Sequence, residues 1–126
     1  MRAVELEILG QKRYLCNSVR VTKAIVQRFG STEKMRDTLT GGNTLETLET
    51  IVWLLQVLMD GGYRYAQING FTCPPPPSED DLMDGYSLDD IGTLQGLAVE
   101  AMTSTSKADV EAEAKDPKNG DTTVGR

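Results

Sequence analysis

An α+β fold, mostly helical, is what this sequence predicts: an N-terminal β-hairpin, then about four helices, then a disordered C-terminal tail. Three observations carry that expectation. Val4–Glu5–Leu6–Glu7–Ile8 alternates apolar and charged residues with the period of two that a half-buried strand requires. From Asn17 onward the apolar residues recur every three or four positions, as on a helix with one buried face. After Met102 the large apolar residues stop except for Val110 and Val124, so residues 103–126 have little with which to build a core.

The first strand would bury Val4, Leu6 and Ile8. Leu9–Gly10–Gln11–Lys12 reads as the turn, with Gly10 free to take positive φ, and Arg13–Tyr14–Leu15–Cys16 as the returning strand. Two strands are marginal alone and must pack on something. Asn17 or Ser18 caps a helix that runs to Phe29 and ends at Gly30. Val21, Ala24, Ile25 and Phe29 share its inner face, while Arg20, Lys23, Gln27 and Arg28 fall mostly on the other. Ser31 caps a shorter helix through Leu39, and Thr40–Gly41–Gly42 interrupts the chain.

Asn43 with Glu46 forms a capping-box pattern for a long central helix from Thr44 to Asp60, stopped by Gly61–Gly62. Its first half is apolar on one face, at Leu45, Leu48, Ile51 and Val52, whereas Ile51 to Met59 is apolar nearly all round except for Gln56. An all-round apolar helix needs a second covering surface, from a partner or from elsewhere in the chain. A body of about a hundred residues is expected to hide too little of it, so that another polypeptide must cover the rest. Trp53, Leu54, Val57 and Leu58 are therefore candidate contact residues, although the core is the commoner role for a tryptophan and the favoured one for Trp53. Tyr63 and Tyr65 flank Arg64 between glycine breaks, in a short helix over 63–68, and suit an interface.

Residues 72–86 form a proline-rich loop. Pro74–Pro75–Pro76–Pro77 is a stiff polyproline II spacer of about 12 Å, without the flanking basic residues of an SH3 ligand. Ser78–Glu79–Asp80–Asp81 reads as polar loop. Ser87 with Asp90 opens the last helix, Leu88 to about Met102, with Leu88, Ile91, Leu94, Leu97, Ala98, Ala101 and Met102 on one face. Gly92 and Gly96 lie one turn apart and either admit a close second helix or are tolerated drift. Residues 1–102 thus make one domain.

Composition narrows the chemistry. The 126 residues include no histidine, which removes the commonest general base and the commonest metal ligand. Cys16 and Cys73 have no CxxC spacing and read as reduced thiols. No secretory leader is visible after Met1, and the apolar run Ile51–Leu55 falls far short of the ~20 residues needed to span a bilayer. A soluble cytoplasmic protein is expected. Charge is asymmetric within the total of −6: residues 1–30 hold six bases and two acids, residues 74–103 seven acids and no base. Two solvated faces, or contacts between a basic front and an acidic back, both account for this. The basic part has too few charges and aromatics for nucleic acid.

Catalytic patterns are lacking. Asp80–Asp81 and Asp89–Asp90 are neighbours in sequence, which point apart on a helix, and residues 78–85 lack the alternating ligands of a calcium loop. The glycine pairs lack a following Gly-Lys-Ser/Thr. No catalytic residue, metal ligand or cofactor site is assigned. A small enzyme working with carboxylates in 80–90 is the remote alternative.

The order of elements resembles the tail assembly chaperones of long-tailed bacteriophages and prophages. The resemblance rests on the opening hairpin Val4 to Leu15, the helix ending Arg28–Phe29–Gly30, the apolar helix closing on Asp60–Gly61–Gly62–Tyr63, and the late helix introduced by Tyr86–Ser87–Leu88–Asp89–Asp90–Ile91. It covers about residues 3 to 102. It implies a non-enzymatic late protein of the bacterial host cytoplasm that self-associates and coats the helical tape measure protein until the tail tube protein polymerises. It further implies absence from the finished virion, and in many such proteins a longer frameshifted form. Trp53, Leu54, Val57, Leu58, Tyr63, Tyr65, Gly92 and Gly96 would then be the self-association or partner surface. A structural virion protein, such as a head–tail connector or tail component, is the second reading.

Overall fold

The computed structural model describes residues 3–41 and 45–114, with side chains described as far as Thr105. Strands β1 (Val4–Ile8) and β2 (Gln11–Leu15) form an antiparallel hairpin with Val4 opposite Leu15 and Ile8 opposite Gln11. The turn is tighter than expected. Leu9 and Gly10 alone make it, both with positive φ (54° and 76°), the arrangement of a type I′ turn whose twist suits the strands.

Helices α1 (Val19–Phe29) and α2 (Thr32–Leu39) start and stop as their caps dictate: Ser18 and Ser31 accept the N–H groups of Val21 and Lys34, and Gly30 closes α1 at φ 93°. The central helix α3 spans Leu45–Asn69, and the Asn43 capping pattern lies outside the described residues. Two short elements follow, α4 (Glu79–Gly85) and a 3-10 turn at Leu88–Asp90, before α5 (Ile91–Ala114).

Around α3 the other elements assemble, with β2 packing on it more heavily than any helix does. Ile8, Leu15, Val21, Ile25, Met35 and Leu39 close over Ile51, Leu54, Leu55, Leu58 and Met59, while Leu82, Leu94, Ala98 and Ala101 seal another side. Polar side chains that donate to open carbonyls link several elements. Gln95 donates to the Leu39 carbonyl at 2.5 Å, and Thr47 to that of Thr38 at 3.0 Å.

Four expectations change. Gly61–Gly62 does not stop the central helix, and the separate helix at 63–68 is its last two turns. Both glycines are buried where α3 crosses β2: a Cβ on either would run into the carbonyl of Tyr14 or Cys16, and the Cys16 N–H reaches the Leu58 carbonyl at 3.1 Å. The pair is there for close backbone approach. Second, residues 79–85 are helix rather than loop, because Ser78 and Asp81 complete a reciprocal capping box. Third, α5 passes Met102 and reaches Ala114. Thr105 is buried, donates to the Ala101 carbonyl and accepts the Asn17 N–H at 3.2 Å, so it joins α5 to the entrance of α1. Residues 115–126 of the expected tail lie outside the described residues.

The fourth concerns the apolar half of α3. Leu54 and Leu58 are wholly buried, and with Trp53 and Val57 half-buried the chain itself covers most of the ring from Ile51 to Met59.

Candidate interaction surface

Apolar surface does remain open, at the two ends of α3. At its N-terminal end α3, α4 and the start of α5 enclose a groove of about 290 Å³. Leu45, Leu48, Val52, Met83, Leu88 and Ile91 line it, and Leu45 and Leu88 are 72% and 79% exposed. A side pocket continues it past Leu48 and Ile91 to Gly92 and Gln95. Glu49 lines the groove, while Glu46, Asp84 and Asp89 stand beside the lining residues Leu45, Met83 and Leu88 in sequence. Between Asp37 and Lys107 Arg64 is the sole basic residue.

The C-terminal end of α3 is different in chemistry. A second groove is lined by Ser18, Val19, Arg20, Arg64, Tyr65 and Ile68, with Val19 and Ile68 86% and 82% exposed. Arg64 is held by Asp60 at 3.1 Å. Alongside, Tyr14, Tyr65 and Phe71 form a three-ring cluster with centroids 5.8–6.4 Å apart, within the range where tilted and offset aromatic pairs attract. Tyr14 alternates away from Leu15 and Arg13, the buried residues of β2, and Phe71 remains about half exposed.

The loop after Phe71 is fixed. Arg13 is 7% exposed, and its guanidinium donates to the carbonyls of Ile8 (3.0 Å) and Pro75 (2.8 Å) and to Gln11 Oε1 (3.3 Å). Five donors in a planar fork allow one side chain to bind the hairpin and the tetraproline together. With Pro77 buried, the spacer becomes a strap across the body.

The residues singled out in the sequence separate accordingly. Leu54 and Leu58 present no surface and are core. Trp53 and Val57 are half-buried against that core; the Phe29 ring meets Trp53 edge-on, and the Arg28 guanidinium lies 4.8 Å from its centroid. Tyr65 belongs to the aromatic cluster, and Tyr63 is half-buried on α3. Gly92 and Gly96 are exposed with open space where a Cβ would stand, so neither admits a neighbouring helix within the chain. The sequence reading missed Val19, Ile68, Phe71 and Tyr14. It also took Leu45 and Leu88 as inward, because periodicity marks a stripe without saying where cover ends.

Cys16 and Cys73 are not joined by a disulfide. Among the described residues there is no cluster of His, Cys, Asp or Glu suited to a metal, and no helix long and apolar enough to cross a membrane. Fold and surface together define a class: a helical body on a small hairpin, with apolar patches open at both ends of its central helix. Comparison with protein-family models, curated proteins and solved structures finds no match to the chain.

Proposed function

We propose that this protein is a non-enzymatic tail assembly chaperone that self-associates and masks apolar helical stripes of a phage tape measure protein. The observation that carries the reading is the open cluster of Tyr14, Tyr65 and Phe71 beside exposed Ile68. Rigid aromatics offer large contact area at little entropic cost, which suits a surface that must accept a succession of similar helices. A tape measure protein exposes long apolar stripes before the tube covers them, and such stripes aggregate. Many weak copies would hold it in solution, yet each could be displaced when tube subunits arrive. The resemblance in element order supplies the identity of the client and the setting in the bacterial host cytoplasm.

Co-expression with a tape measure protein tests this. The client should stay soluble and co-elute with the chain, and a Tyr65→Ala/Phe71→Ala variant should lose most of it to the pellet. A client equally soluble without the chain would end the proposal. Stoichiometric presence in purified particles would move the assignment to a structural virion component.

A further inference from the structure

We infer that the outer edge of β1 accepts an extended, cation-bearing segment of a partner protein, which joins the hairpin as a third, antiparallel strand. The register of the hairpin leads there. Ile8 and Gln11 flank a two-residue turn, so they form a hydrogen-bonded pair, and the pairing alternates from them. Leu6 with Arg13, and Val4 with Leu15, exchange bonds across the ribbon, whereas Glu5 and Glu7 sit in the unbonded pairs. The N–H and C=O groups of Glu5 and Glu7 therefore point out of the ribbon, away from β2. Helix α3 lies against β2 and α5 approaches β1, yet among the described residues no hydrogen bond reaches those four groups. A row of open backbone groups at a sheet edge is a template for strand addition.

Side chains select the occupant. Glu5 and Glu7 are exposed on one face of β1, while Val4 and Leu6 on the other are half-buried against the core. Neither carboxylate forms an ion pair with a described residue. In antiparallel addition the partner residues that bond to Glu5 and Glu7 stand directly opposite them, with one residue between them beside Leu6. The complementary segment therefore carries Lys or Arg at alternate positions and an apolar residue between. A second copy is a poor fit. Pairing β1 with itself across Leu6 sets Glu5 against Glu7 twice, and like charges directly opposite repel. The same two glutamates thus exclude the chain's own edge and admit a cationic one. This contact uses the β1 backbone and a strand, not the aromatic cluster and a helix, so it stands or falls separately from the chaperone reading.

Hydrogen exchange on the full chain tests it, with a capped Lys-Val-Lys-Val-Lys peptide as the probe. In the isolated chain the Glu5 and Glu7 amides should exchange fast and the Leu6 amide, bonded to Arg13, slowly. Saturating peptide should slow the Glu5 and Glu7 amides by at least about tenfold. Glu5→Lys/Glu7→Lys changes exposed residues and should cut affinity for this peptide by at least about tenfold, while gaining affinity for Glu-Val-Glu-Val-Glu. A second probe needs only the wild-type chain. N-methylation of the peptide's lysines removes the donors that face β1 and keeps the charge, so it should abolish protection; N-methylation of its valines should spare it. The inference is overturned if the parent peptide leaves both amides fast, or if the lysine-methylated peptide protects equally, which is charge attraction alone. A folded charge-reversed variant that binds the lysine peptide like wild type overturns it too. So do Glu5 and Glu7 amides already slow in the isolated chain: slowing that grows with concentration gives the edge to a second copy, and slowing that does not gives it to the chain itself.

Discussion

The N–H of Leu9 donates to the hydroxyl of Tyr86 at 2.8 Å, across 77 positions of sequence. Leu9 holds φ 54°, a region that costs a branched side chain roughly 1–2 kcal/mol, and the bond fixes the turn against the segment between α4 and α5. Tyr86→Phe keeps the ring and removes the acceptor. It should lower stability by about 1–3 kcal/mol, the cost of stranding a part-buried donor, in a urea titration with unchanged m-value.

Glycines in one protein should respond to alanine with opposite sign. At Gly92 and Gly96 a methyl meets nothing and helix propensity decides, so each substitution should add roughly 0.8–1 kcal/mol and raise Tm. Gly62→Ala drives a methyl into the Tyr14 carbonyl, a backbone that cannot step aside. The loss should exceed the ~1–3 kcal/mol of ordinary overpacking, and circular dichroism melting of the three variants reads the contrast directly.

Arg13 is a second point of tension. Arg13→Lys keeps the charge but lacks the fork, so it cannot serve the Ile8 and Pro75 carbonyls and Gln11 together. Stability should fall by about 2 kcal/mol, and protease sensitivity should appear first within residues 71–78.

Arg28 over Trp53 offers an optical reading, because the chain has one tryptophan. Arg28→Ala should red-shift and alter the intensity of its emission while costing only about 0.5–1 kcal/mol, as expected for an exposed cation–π pair. An unchanged spectrum would mean the guanidinium does not rest on the ring in solution.

Local signals were legible where one residue controls the outcome. Ser18, Ser31 and Gly30 set the bounds of α1 and α2, and alternation set β1. Gly61–Gly62 misled because the same residue serves as helix stop and as site of close approach, and only the neighbouring strand distinguishes the two. The end of α5 was missed because what orders Thr105 is Asn17, a partner far away in sequence. For the surface, the pattern gave Tyr65 and Gly92, which are half-buried and exposed, the same weight as Leu54 and Leu58, which are core. Apolar character is a property of the residue, whereas exposure depends on what the rest of the chain lays over it.

The backbone contact of Cys16 with Leu58, and the glycine saddle beside it, set an order of events during synthesis. The hairpin leaves the ribosome before the rod it rests on, which is completed at Asn69, 54 residues after Leu15. At about 5–20 residues per second that is a wait of about 3–11 seconds with a strand edge uncovered. Glu5, Glu7, Lys12 and Arg13 crowd those two strands with charge, which guards the nascent ribbon against pairing with its neighbours until the saddle arrives.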